Sequence, residues 1–514
     1  MAANLEAARA LVLLTPGGER LLTGRARPIV IASRRPGAAV AAAVAPGNPD
    51  LGVMLASTPL HHLLLADAGV PLVMTSGNVS DEPIAYDDGE ALERLSGIAD
   101  RFLVHDRPIE TRTDDSVVRG PLVVRRSRGL VPESIELEAA ERPLLACGAE
   151  LKSTFCLAKG GRAWVGHHIG DLKNWETLRS YRAGIAHFER LFAVAPQLVA
   201  HDLHPDYLST AYALERDGVE RVAVQHHHAH LAACLAEHGQ SGPAVGAIYD
   251  GAGLGSDGTV WGGELLVGGT RRCARAGHLW PVRLPGGDAA VRKPWRMARA
   301  WLHALGDEDP AVPAALAEQV PRAAWEAVGA LVRSGTAAPE TTSAGRLFDA
   351  VAALCGIRSA INYEGQAAAE LEAACDRGER GAYPMPVVEE AGANGAGGEP
   401  GPSGGAQPPI VLDARATVAA VIEDLGRGAA VGLVAARFHG ALARATAEAC
   451  ALAAARHGLG TVVLSGGAFQ NRVLFERTSA LLEAAGLRVL VPRRLPPNDG
   501  GIAFGQAAVA AGVR

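Results

Sequence analysis

Short apolar runs alternate with alanine-rich helical stretches through most of this chain. Runs with the length and composition of buried strands lie at 244–249, 431–435 and 461–464, and helical stretches are predicted at 418–425 and 440–456. Strands that alternate with helices along a sequence are typical of layered α/β folds. The pattern therefore predicts an α/β architecture from about residue 143 to the C-terminal end.

The first part of the chain carries a second α/β pattern. A boundary between the two α/β parts is expected near Glu133 to Pro143, where Glu, Ala and Pro replace the apolar pattern. A flexible loop is expected between Glu389 and Pro409, because Gly, Ala, Pro and Ser dominate there and leave little to bury. In the first part, strands are predicted at 28–32, 71–74, 115–118 and 122–125, and a helix at 88–98.

Length, charge and cysteine content narrow the class of protein. The 514 residues suit roughly two to four domains. A net charge of -6 with 4% aromatic residues argues against a dedicated nucleic-acid surface. Seven cysteines without a C-x-x-C pair exclude a zinc ribbon and favour free thiols. The N-terminal residues do not resemble a signal peptide, and no apolar run reaches the ~18 residues of a membrane span, so a cytoplasmic protein is expected.

A histidine cluster, Gln225-His-His-His-Ala-His230, opens an apolar-periodic stretch that is predicted to be helical. Residues four apart lie one turn apart on one helix face, so His226 and His230 could hold one metal ion between their imidazoles. The alternative is a histidine-rich helix start without a ligand. The carboxylate and glycine motifs that follow favour the metal site.

A glycine-rich segment at 250–264 follows directly after the predicted strand at 244–249. Gly251 and Gly253 allow close approach of the backbone to a ligand and present N–H groups to phosphate. Asp250, at the strand end, can reach a metal ion. A glycine-rich β-hairpin with a structural aspartate is the alternative.

Two motifs near the C-terminal end offer further candidates. Gly466 and Gly467 lie between a predicted strand and a predicted helix, where a nucleotide could rest against the backbone and the helix N-terminus. Asp499 lies in the loop Pro497-Asn-Asp-Gly-Gly501, a pattern that is more often only a turn. Two histidines with Asp250 and Asp499 would form a nitrogen and oxygen ligand set suited to iron, zinc or manganese.

Hydroxyl and amide side chains also gather in the first part of the chain. Thr75, Ser76 and Asn78 follow the strand predicted at 71–74, and arginines recur between 112 and 128. Hydroxyls, an amide and guanidinium groups are what a triphosphate site requires. The alternative is a hydrogen-bonded turn beside a solvated basic strand.

Taken together, these motifs resemble those of the HypF family, the carbamoyltransferases of hydrogenase maturation, over nearly the whole chain. Such a set of motifs in one order is highly specific. The motifs that carry the resemblance are Gly148–Cys156, His168–Leu172, His201–Thr210, Gln225–His230, Leu284–Asp288, Gly345–Ala350, Tyr363–Gln366 and Ser465–Asn471.

The resemblance implies two catalytic parts. Residues 1–138 are expected to be the later portion of a YrdC-like domain, which in the family converts ATP and carbamate to carbamoyl-AMP. Residues 139–514 are expected to be a TsaD-like domain of the actin/hexokinase ATPase (ASKHA) fold, which passes the carbamoyl group to the C-terminal cysteine of HypE. The product supplies cyanide ligands to the iron of [NiFe] hydrogenase.

The resemblance also implies roles for individual residues. One divalent ion, iron or zinc, is expected on His226, His230, Asp250 and Asp499. Nucleotide contacts are expected from Gly251, Gly253, Gly466, Gly467 and Asn471, and Glu150, Lys152 and Ser153 occupy the first phosphate-loop position. Thr75, Ser76 and Asn78 match the adenylation site, and Lys152, Ser153 and Asp250 are the expected catalytic residues.

Full-length members of the family begin with an acylphosphatase-like domain, two zinc-finger motifs and the opening part of the YrdC-like domain, which this sequence does not contain. Unless that part is supplied, we expect the chain to retain carbamoyl transfer but not the synthesis of carbamoyl-AMP from carbamoyl phosphate and ATP. HypE is the expected protein partner, and neither a membrane nor a nucleic acid is expected as a partner.

Other functions fit parts of the pattern. An antibiotic-tailoring O-carbamoyltransferase would share the TsaD-like domain but act on a small-molecule hydroxyl. Threonylcarbamoylation of tRNA would call for a cationic surface, which the net charge disfavours. A non-catalytic assembly factor would bind nucleotide and HypE without chemistry. A two-histidine, one-carboxylate oxygenase would leave the glycine loops without a purpose. The motif match favours the maturation enzyme.

Overall fold

In the computed structural model of the chain, residues 1–80, 82–389 and 408–512 are described. The chain divides into two compact units, Met1–Val224 with Pro492–Arg514, and Gln225–Val491. The boundary expected at residue 138 lies inside the first unit and stays a prediction. The loop expected between Glu389 and Pro409 lies, apart from its ends, outside the described residues.

The first unit begins with a small α/β layer. Its elements are α1 (Leu5–Leu11), α2 (Pro16–Thr23), β1 (Ile29–Ser33), β2 (Asp50–Val53), α3 (Pro59–Ala68), α4 (Asp88–Leu95), β3 (Val117–Arg119) and β4 (Leu122–Arg125). Thr15 and Thr58 cap α2 and α3, each before a proline in the first turn, as helix-start preferences predict. The sheet has the order β2-β1-β3-β4, and β1 runs parallel to β3.

A second sheet of the first unit has the order β10-β9-β6-β7-β8-β5. Its core packs aromatic rings against aliphatic strands, with Phe155, Tyr181 and Phe188 edge to face. The C-terminal helix α16 packs on β6 and β9. The elements are β5 (Ile135–Glu136), β6 (Leu144–Ala146), β7 (Cys156–Lys159), β8 (Arg162–Val165), α5 (Trp175–Phe192), β9 (Leu198–Asp202), α6 (Leu208–Leu214), β10 (Glu220–Val224) and, at the chain end, α16 (Ile502–Ala511).

The second unit is built on one large sheet with helices packed around it. Its main path is β16-β17-β13-β12-β11-β18-β19, with β14 and β15 beside β12. The elements in chain order are α7 (His226–Glu237), β11 (Ala244–Leu254), β12 (Val260–Gly268), β13 (Cys273–Leu279), β14 (Val282–Arg283), α8 (Asp288–Arg292), α9 (Trp295–Ala304), α10 (Arg322–Ser334), β15 (Glu340–Thr341), α11 (Ala344–Leu354), α12 (Gln366–Ala374), β16 (Val387–Glu389), β17 (Ile410–Leu412), α13 (Arg415–Gly426), α14 (Val431–His457), β18 (Thr461–Ser465), α15 (Arg472–Ala484) and β19 (Arg488–Leu490).

The two larger sheets repeat one strand order. In the first unit, β6, β7 and β8 form an antiparallel meander, and β9 and β10 add parallel strands beside β6. In the second unit, β11, β12 and β13 form the meander, and β18 and β19 add parallel strands beside β11. The carboxyl-terminal parts of β6 and β11 are therefore equivalent positions. The glycine motif at Gly148 follows β6, and the one at Gly251 lies in β11 itself, where its register with β12 shifts between Tyr249 and Gly253.

Most elements predicted from the sequence are present. The runs at 28–32, 122–125, 244–249 and 461–464 lie in β1, β4, β11 and β18, and the predicted helices at 418–425 and 440–456 lie in α13 and α14. The helix predicted at 88–98 ends earlier, at Leu95, and the strand predicted from Asp115 begins at Val117.

Two strand predictions are wrong. The run at 431–435 forms the start of α14, because a short apolar run followed by alanines is compatible with a buried helix as well as a strand. The run at 71–74 forms no strand, and Val73 is 77% exposed. Among the helices of the described residues, none has both the length and the apolar composition needed to cross a bilayer.

Candidate functional site

The histidine pair lies at the start of helix α7. Gln225 caps this helix, since its side-chain oxygen accepts a hydrogen bond from the backbone N–H of His228 at 2.8 Å. His226 and His230 follow one turn apart, with ring centroids separated by 5.2 Å, and both side chains are buried. The predicted helix is thus present, and it places both imidazoles together.

Asp250 lies on β11 and meets both imidazoles. Its Oδ2 is 2.9 Å from Nε2 of His230 and 3.6 Å from Nε2 of His226. Its Oδ1 accepts hydrogen bonds from the backbone N–H groups of Gly251 at 2.8 Å and Gly467 at 3.2 Å. The structure therefore joins three sequence motifs within the second unit: the histidine cluster, the glycine-rich part of β11 and the loop after β18.

The Asp250 carboxylate is ionised in this setting. Burial favours its neutral form, but the hydrogen bond from His230 and the interaction with the nearby His226 imidazole outweigh burial and hold the pKa of Asp250 well below its usual range. A carboxylate beside two imidazoles is a nitrogen and oxygen donor set that suits divalent iron, zinc or manganese. The side chains present therefore fit a resident metal ion.

Two glycines near this group lie where no side chain fits. A Cβ on Gly253 would lie 2.6 Å from Cε1 of His227 and 3.0 Å from Cδ2 of His226. Gly466 has a φ of +96°, and a Cβ there would lie 2.2 Å from the carbonyl oxygen of Tyr249. These loops therefore require glycine for packing around the histidines and the strand end. The hairpin considered for 250–264 is present, since β11 and β12 pair across it.

Ser343, which the sequence analysis missed, supports the loop that carries Asp250. Its Oγ lies 2.8 Å from the carbonyl oxygen of Asp250 and 2.7 Å from that of Gly251. The same oxygen caps α11 by accepting a hydrogen bond from the N–H of Arg346. Gly345 packs against Gly251, where a Cβ would lie 3.0 Å from the Gly251 Cα. A serine directly before a helical Ala-Gly-Arg-Leu-Phe stretch is a capping signal that could have identified it.

The buried carboxylate of Glu264 stabilises the β11–β12 hairpin. Glu264 is fully buried and accepts hydrogen bonds from two backbone N–H groups of the hairpin and from the hydroxyl of Thr342. Arg275 donates from Nε to its Oε2 at 2.6 Å, while the guanidinium lies 4.3 Å over the ring of Trp261. Thr342 directly precedes Ser343, so this network extends to the Asp250 loop.

Replacing Arg275 by alanine is expected to destabilise the chain by about 3–5 kcal/mol, because it leaves the Glu264 carboxylate buried without its cation. Arg415→Ala is the matched control, since Arg415 also pairs with a carboxylate and lies 3.5 Å over Trp280, but its partner Asp413 is 15% exposed whereas Glu264 is fully buried. We expect the control substitution to lower the free energy of unfolding by about 1 kcal/mol or less. Urea unfolding of both variants measures the difference, and equal losses would contradict the expectation.

Asn471 occupies a structural position at the end of the loop after β18. Its side-chain oxygen caps α15 by accepting a hydrogen bond from the N–H of Leu474 at 3.0 Å. Its amide nitrogen lies 2.8 Å from Nε2 of His439, whose Nδ1 lies 2.7 Å from the carbonyl oxygen of Ala435. Asn471 thus fixes the loop that carries Gly467, and the nucleotide contact expected of it stays a prediction.

The first phosphate-loop position lies in the first unit, after β6. Glu150 is buried and accepts a hydrogen bond from the N–H of Leu208 at 2.8 Å, which caps α6, and burial raises the pKa of Glu150. Lys152 has a φ of +46°, and its N–H donates to Asp171 at 2.8 Å. The hydroxyl of Ser153 is buried and has no hydrogen-bond partner among the described residues. The carboxylate of Glu150 is therefore engaged as a helix cap.

The turn at Gly148 is clamped by the C-terminal helix. The Gln506 side chain accepts from the N–H of Gly148 at 2.8 Å and donates to its carbonyl oxygen at 3.0 Å. Thr154 donates to the carbonyl oxygen of Gly500 at 3.1 Å. Asp499 begins the short 3-10 turn that leads into α16 in this first unit. Its expected role as a metal ligand stays a prediction.

The residues expected at the adenylation site lie on a loop without regular structure. Ser76 and Asn78 line a cavity of about 260 Å³ in the first unit, whereas Thr75 is exposed and does not line it. Other lining residues come from the motif at His168–Leu172 and from two of the predicted cations. They are Arg112, Arg125, His167, His168 and Asp171.

The remaining predicted cations form ion pairs or hydrogen bonds with other residues of the first unit. Arg119 pairs with Asp50 at 2.9 Å, and Arg128 pairs with Asp115 at 2.5 Å. Arg126 is buried and donates to backbone carbonyl oxygens. Only Arg112 and Arg125 of this basic stretch line the cavity among the described residues.

The stability of the metal-free chain is expected to fall between about pH 7.5 and about pH 5. Burial lowers the pKa of His167 to about 4 and that of His439 to about 4. The unfolded chain protonates these rings near pH 6.5, so it binds more protons than the folded chain in this range. The free energy of unfolding is highest above the pKa that these rings have in the unfolded chain, and it decreases as the pH falls toward 4. At pH 5 the expected decrease is roughly 1–2 kcal/mol for each ring. Urea unfolding in EDTA measures it, and equal free energies at the two pH values would contradict it.

Comparison with protein families matches three consecutive parts of the chain. Residues 1–127 match the Sua5/YciO/YrdC family, described as telomere recombination. Residues 139–237 match the HypF Kae1-like domain, and residues 246–506 match the carbamoyltransferase Kae1-like domain, second subdomain. The predicted fold class is confirmed as a mixed α/β structure with a YrdC-like domain followed by Kae1-like domains.

Curated relatives and a solved structure agree with these matches. Carbamoyltransferase HypF2 of Cupriavidus necator is 44% identical over 99% of this chain and 66% of that protein. A shorter protein of the same organism, named Carbamoyltransferase HypF homolog, is 41% identical over 72% of this chain and 91% of its own length. A crystal structure of full-length HypF in the phosphate- and nucleotide-bound form superposes with a TM-score of 0.92 at 37% identity, over 99% of this chain and 65% of that one.

The chain belongs to the HypF carbamoyltransferase family. It spans 63 to 66% of the length of the longer curated relatives, slightly less than two thirds.

Proposed function

We propose that this chain is a carbamoyltransferase of [NiFe] hydrogenase maturation, which moves a carbamoyl group from carbamoyl-AMP to a cysteine thiol. One observation supports this most strongly: the Asp250 carboxylate contacts both histidines of α7 and the N–H groups of two glycine loops. A metal-ligand set and two glycine-rich backbone segments therefore meet at one carboxylate. This combination suits a substrate that carries both a carbonyl and a phosphate.

In this proposal the chain's own residues bind and orient the adenylate. The backbone at Gly251 and Gly467 is proposed to lie beside the nucleotide phosphate, while Ser343 holds Gly251 and Glu264 holds the β11–β12 hairpin in place. A divalent metal on His226 and His230, when bound, polarises the carbamoyl oxygen. As the thiolate forms its bond to the carbamoyl carbon, the bond to the phosphate oxygen breaks and AMP leaves.

The remaining assigned residues keep their expected roles within this proposal. Asp499 is the proposed fourth metal ligand. Lys152 and Ser153 are proposed to position phosphate, which the left-handed backbone of Lys152 and the buried hydroxyl of Ser153 support. Ser76 and Asn78 are proposed to contact the adenylate, because they line the cavity of the first unit.

The proposed partners follow from the family. ATP and carbamoyl phosphate are the sources of carbamoyl-AMP, and the C-terminal cysteine of HypE is the acceptor. We place the reaction in the cytoplasm, because an odd number of widely spaced cysteines without a C-x-x-C pair does not suit a disulfide framework. The donor set suits iron, zinc or manganese, and we propose iron or zinc because the family resemblance implies one of these two.

An acceptor assay tests the proposal. The purified chain is loaded with iron or zinc and given carbamoyl-AMP with a peptide that ends in the HypE C-terminal sequence. Mass spectrometry is expected to show one added carbamoyl group, which is absent from a control peptide with serine in place of the cysteine. Transfer to an aminoglycoside instead would indicate a small-molecule O-carbamoyltransferase. Transfer to neither acceptor would contradict the enzyme proposal and favour a binding factor.

A second experiment tests whether the chain can synthesise carbamoyl-AMP. The chain is given ATP and carbamoyl phosphate without carbamoyl-AMP. We expect no release of AMP and pyrophosphate from the chain by itself. Release at the rate of the transfer reaction would show that the described YrdC-like residues suffice for adenylation.

A further inference from the structure

His439 is a buried histidine of helix α14 that lies beside the loop after β18 and has no part in the proposed mechanism. Its ring packs edge to face against Phe348, with centroids 5.2 Å apart, and the residue has no exposed surface. Its Nε2 lies 2.8 Å from the amide nitrogen of Asn471, the residue that caps α15. An imidazole at this distance can control the orientation of the Asn471 amide.

The contacts of the His439 ring determine which nitrogen carries its proton. Nδ1 lies 2.7 Å from the carbonyl oxygen of Ala435, and a carbonyl oxygen can only accept, so Nδ1 must donate. Burial lowers the pKa of His439 to about 4, so near neutral pH the ring carries a single N–H. Nε2 is therefore an acceptor, and the amide nitrogen of Asn471 donates to it.

The groups around His439 favour this neutral form. Sγ of Cys375, at the end of α12, lies 3.3 Å from Nδ1 and 3.6 Å from the carbonyl oxygen of Leu371. Burial raises the pKa of Cys375 to about 12, so its sulfur remains an uncharged thiol. The positive charge of Arg477 on α15 disfavours a second proton on the imidazole. Together with burial, this charge outweighs the hydrogen bond to Ala435, which favours the protonated ring.

The Asn471 amide has only one orientation that satisfies its neighbours. Its Oδ1 accepts a hydrogen bond from the N–H of Leu474 at 3.0 Å, so reversal of the amide would oppose two donors and remove the cap of α15. A primary amide carries two N–H donors. One of them is directed at His439, and the second has no acceptor among the residues that the structure describes. The side chain therefore has one N–H left for a ligand, while its oxygen is turned toward α15.

We propose that His439 is a positioning residue for nucleotide binding: it accepts one N–H of Asn471 and thereby directs the other toward an oxygen or nitrogen acceptor of the adenylate. This role rests on the proposed function, which supplies the adenylate as the ligand. It makes Asn471 a hydrogen-bond donor to the nucleotide and adds a residue that does not touch the nucleotide itself. Without an acceptor at position 439, the amide is no longer held in one orientation, and one of its N–H groups loses its partner.

Binding of AMP, measured by isothermal titration calorimetry, tests this role separately from carbamoyl transfer. His439→Leu offers no acceptor to Asn471, so we expect AMP to bind at least about tenfold more weakly, a difference of about 1.4 kcal/mol. His439→Gln supplies a side-chain oxygen acceptor, and we expect its affinity to stay within about threefold of that of the unsubstituted chain. Both substitutions remove the ring that packs on Phe348, so a loss of stability by itself would affect both variants alike.

Two further measurements keep the test independent of folding. Tyr383→Phe removes a hydrogen bond from the Tyr383 hydroxyl to Asp424 in the same unit, and it is expected to lower stability without a change in AMP affinity. Nitrogen NMR of the unsubstituted chain with labelled histidines is expected to show a proton on Nδ1 of His439 and none on Nε2 near neutral pH. The His439 signals are identified by their absence from the His439→Gln variant.

Three results would overturn the positioning role. The first is an equal loss of AMP affinity in His439→Leu and His439→Gln, and the second is an unchanged affinity in His439→Leu. The third is a proton on Nε2 of His439 in the unsubstituted chain. The expected affinities in a chain that transfers no carbamoyl group would support the positioning role and contradict the proposed function. Failure of the unsubstituted chain to bind AMP would contradict both.

Discussion

Purified chain with His226→Ala and His230→Ala is expected to lose its bound divalent metal and at least about 100-fold of its carbamoyl-transfer rate. The two imidazoles are the nitrogen donors beside the Asp250 carboxylate, so their removal leaves only an anionic oxygen ligand in the second unit. Such a site binds iron or zinc weakly. Without the metal, the carbamoyl oxygen loses its polarisation while substrate contacts from the glycine loops remain. Elemental analysis and the peptide assay measure the two losses.

His238→Ala is the matched control for this substitution. His238 follows the same helix, and its Nε2 lies 2.9 Å from the carbonyl oxygen of Val491, away from the Asp250 carboxylate. We expect this variant to retain its metal and its transfer rate. Circular dichroism of both variants checks that the fold is kept. A double alanine variant that still carries one metal ion per chain would show that the histidines are not ligands.

Gly253→Ala is expected to weaken metal binding and to destabilise the second unit by about 1–3 kcal/mol. The added methyl group would lie 2.6 Å from the ring of His227 and 3.0 Å from that of His226. Because His226 is buried, it cannot turn into solvent, so either the hairpin or helix α7 must shift. The shift changes the position of one metal donor relative to Asp250.

Gly460→Ala provides the comparison, since a Cβ at Gly460 has no atom within 4 Å and the residue lies in the same unit. We expect it to change the free energy of unfolding by no more than about 0.5 kcal/mol. Urea unfolding and a metal titration of both variants measure the two effects. Normal metal affinity in Gly253→Ala would mean that the hairpin does not set the position of the histidine.

Local periodicity was sufficient to predict the centre of the site. Two histidines four residues apart meet on any helix, and an aspartate that directly follows a buried run falls near a strand end. His226, His230 and Asp250 were therefore predictable without knowledge of the fold. Their meeting with Gly467 was not, because it depends on the pairing of β11 with β18 more than 200 residues later along the chain.

The supporting residues were missed for a different reason. Glu264 belongs to the predicted glycine-rich segment, but nothing in its sequence neighbourhood shows that it is buried or that Arg275 pairs with it. The strand pairing of β12 with β13 brings them together. Ser343 acts through a helix cap and through two carbonyl oxygens of a loop about 90 residues earlier. Such contacts come from tertiary packing.

The wrong strand prediction at 71–74 has its own physical cause. Its composition is that of a strand, but a strand requires a continuous partner, and the backbone pairing of this run is limited to that of Leu72 with Met1 among the described residues. The repeated strand order of the two larger sheets was likewise invisible in the sequence, because it is a repetition of topology without a repeated motif.

The most direct measurement is a single-turnover reaction of the metal-loaded chain with carbamoyl-AMP and the cysteine peptide. AMP and carbamoylated peptide are expected to appear together and in equal amounts, and AMP release is expected to depend on the peptide. In the His226→Ala, His230→Ala variant, neither product should form at a comparable rate. AMP release without carbamoylated peptide, or equal product formation by the variant, would contradict metal-assisted carbamoyl transfer at this site.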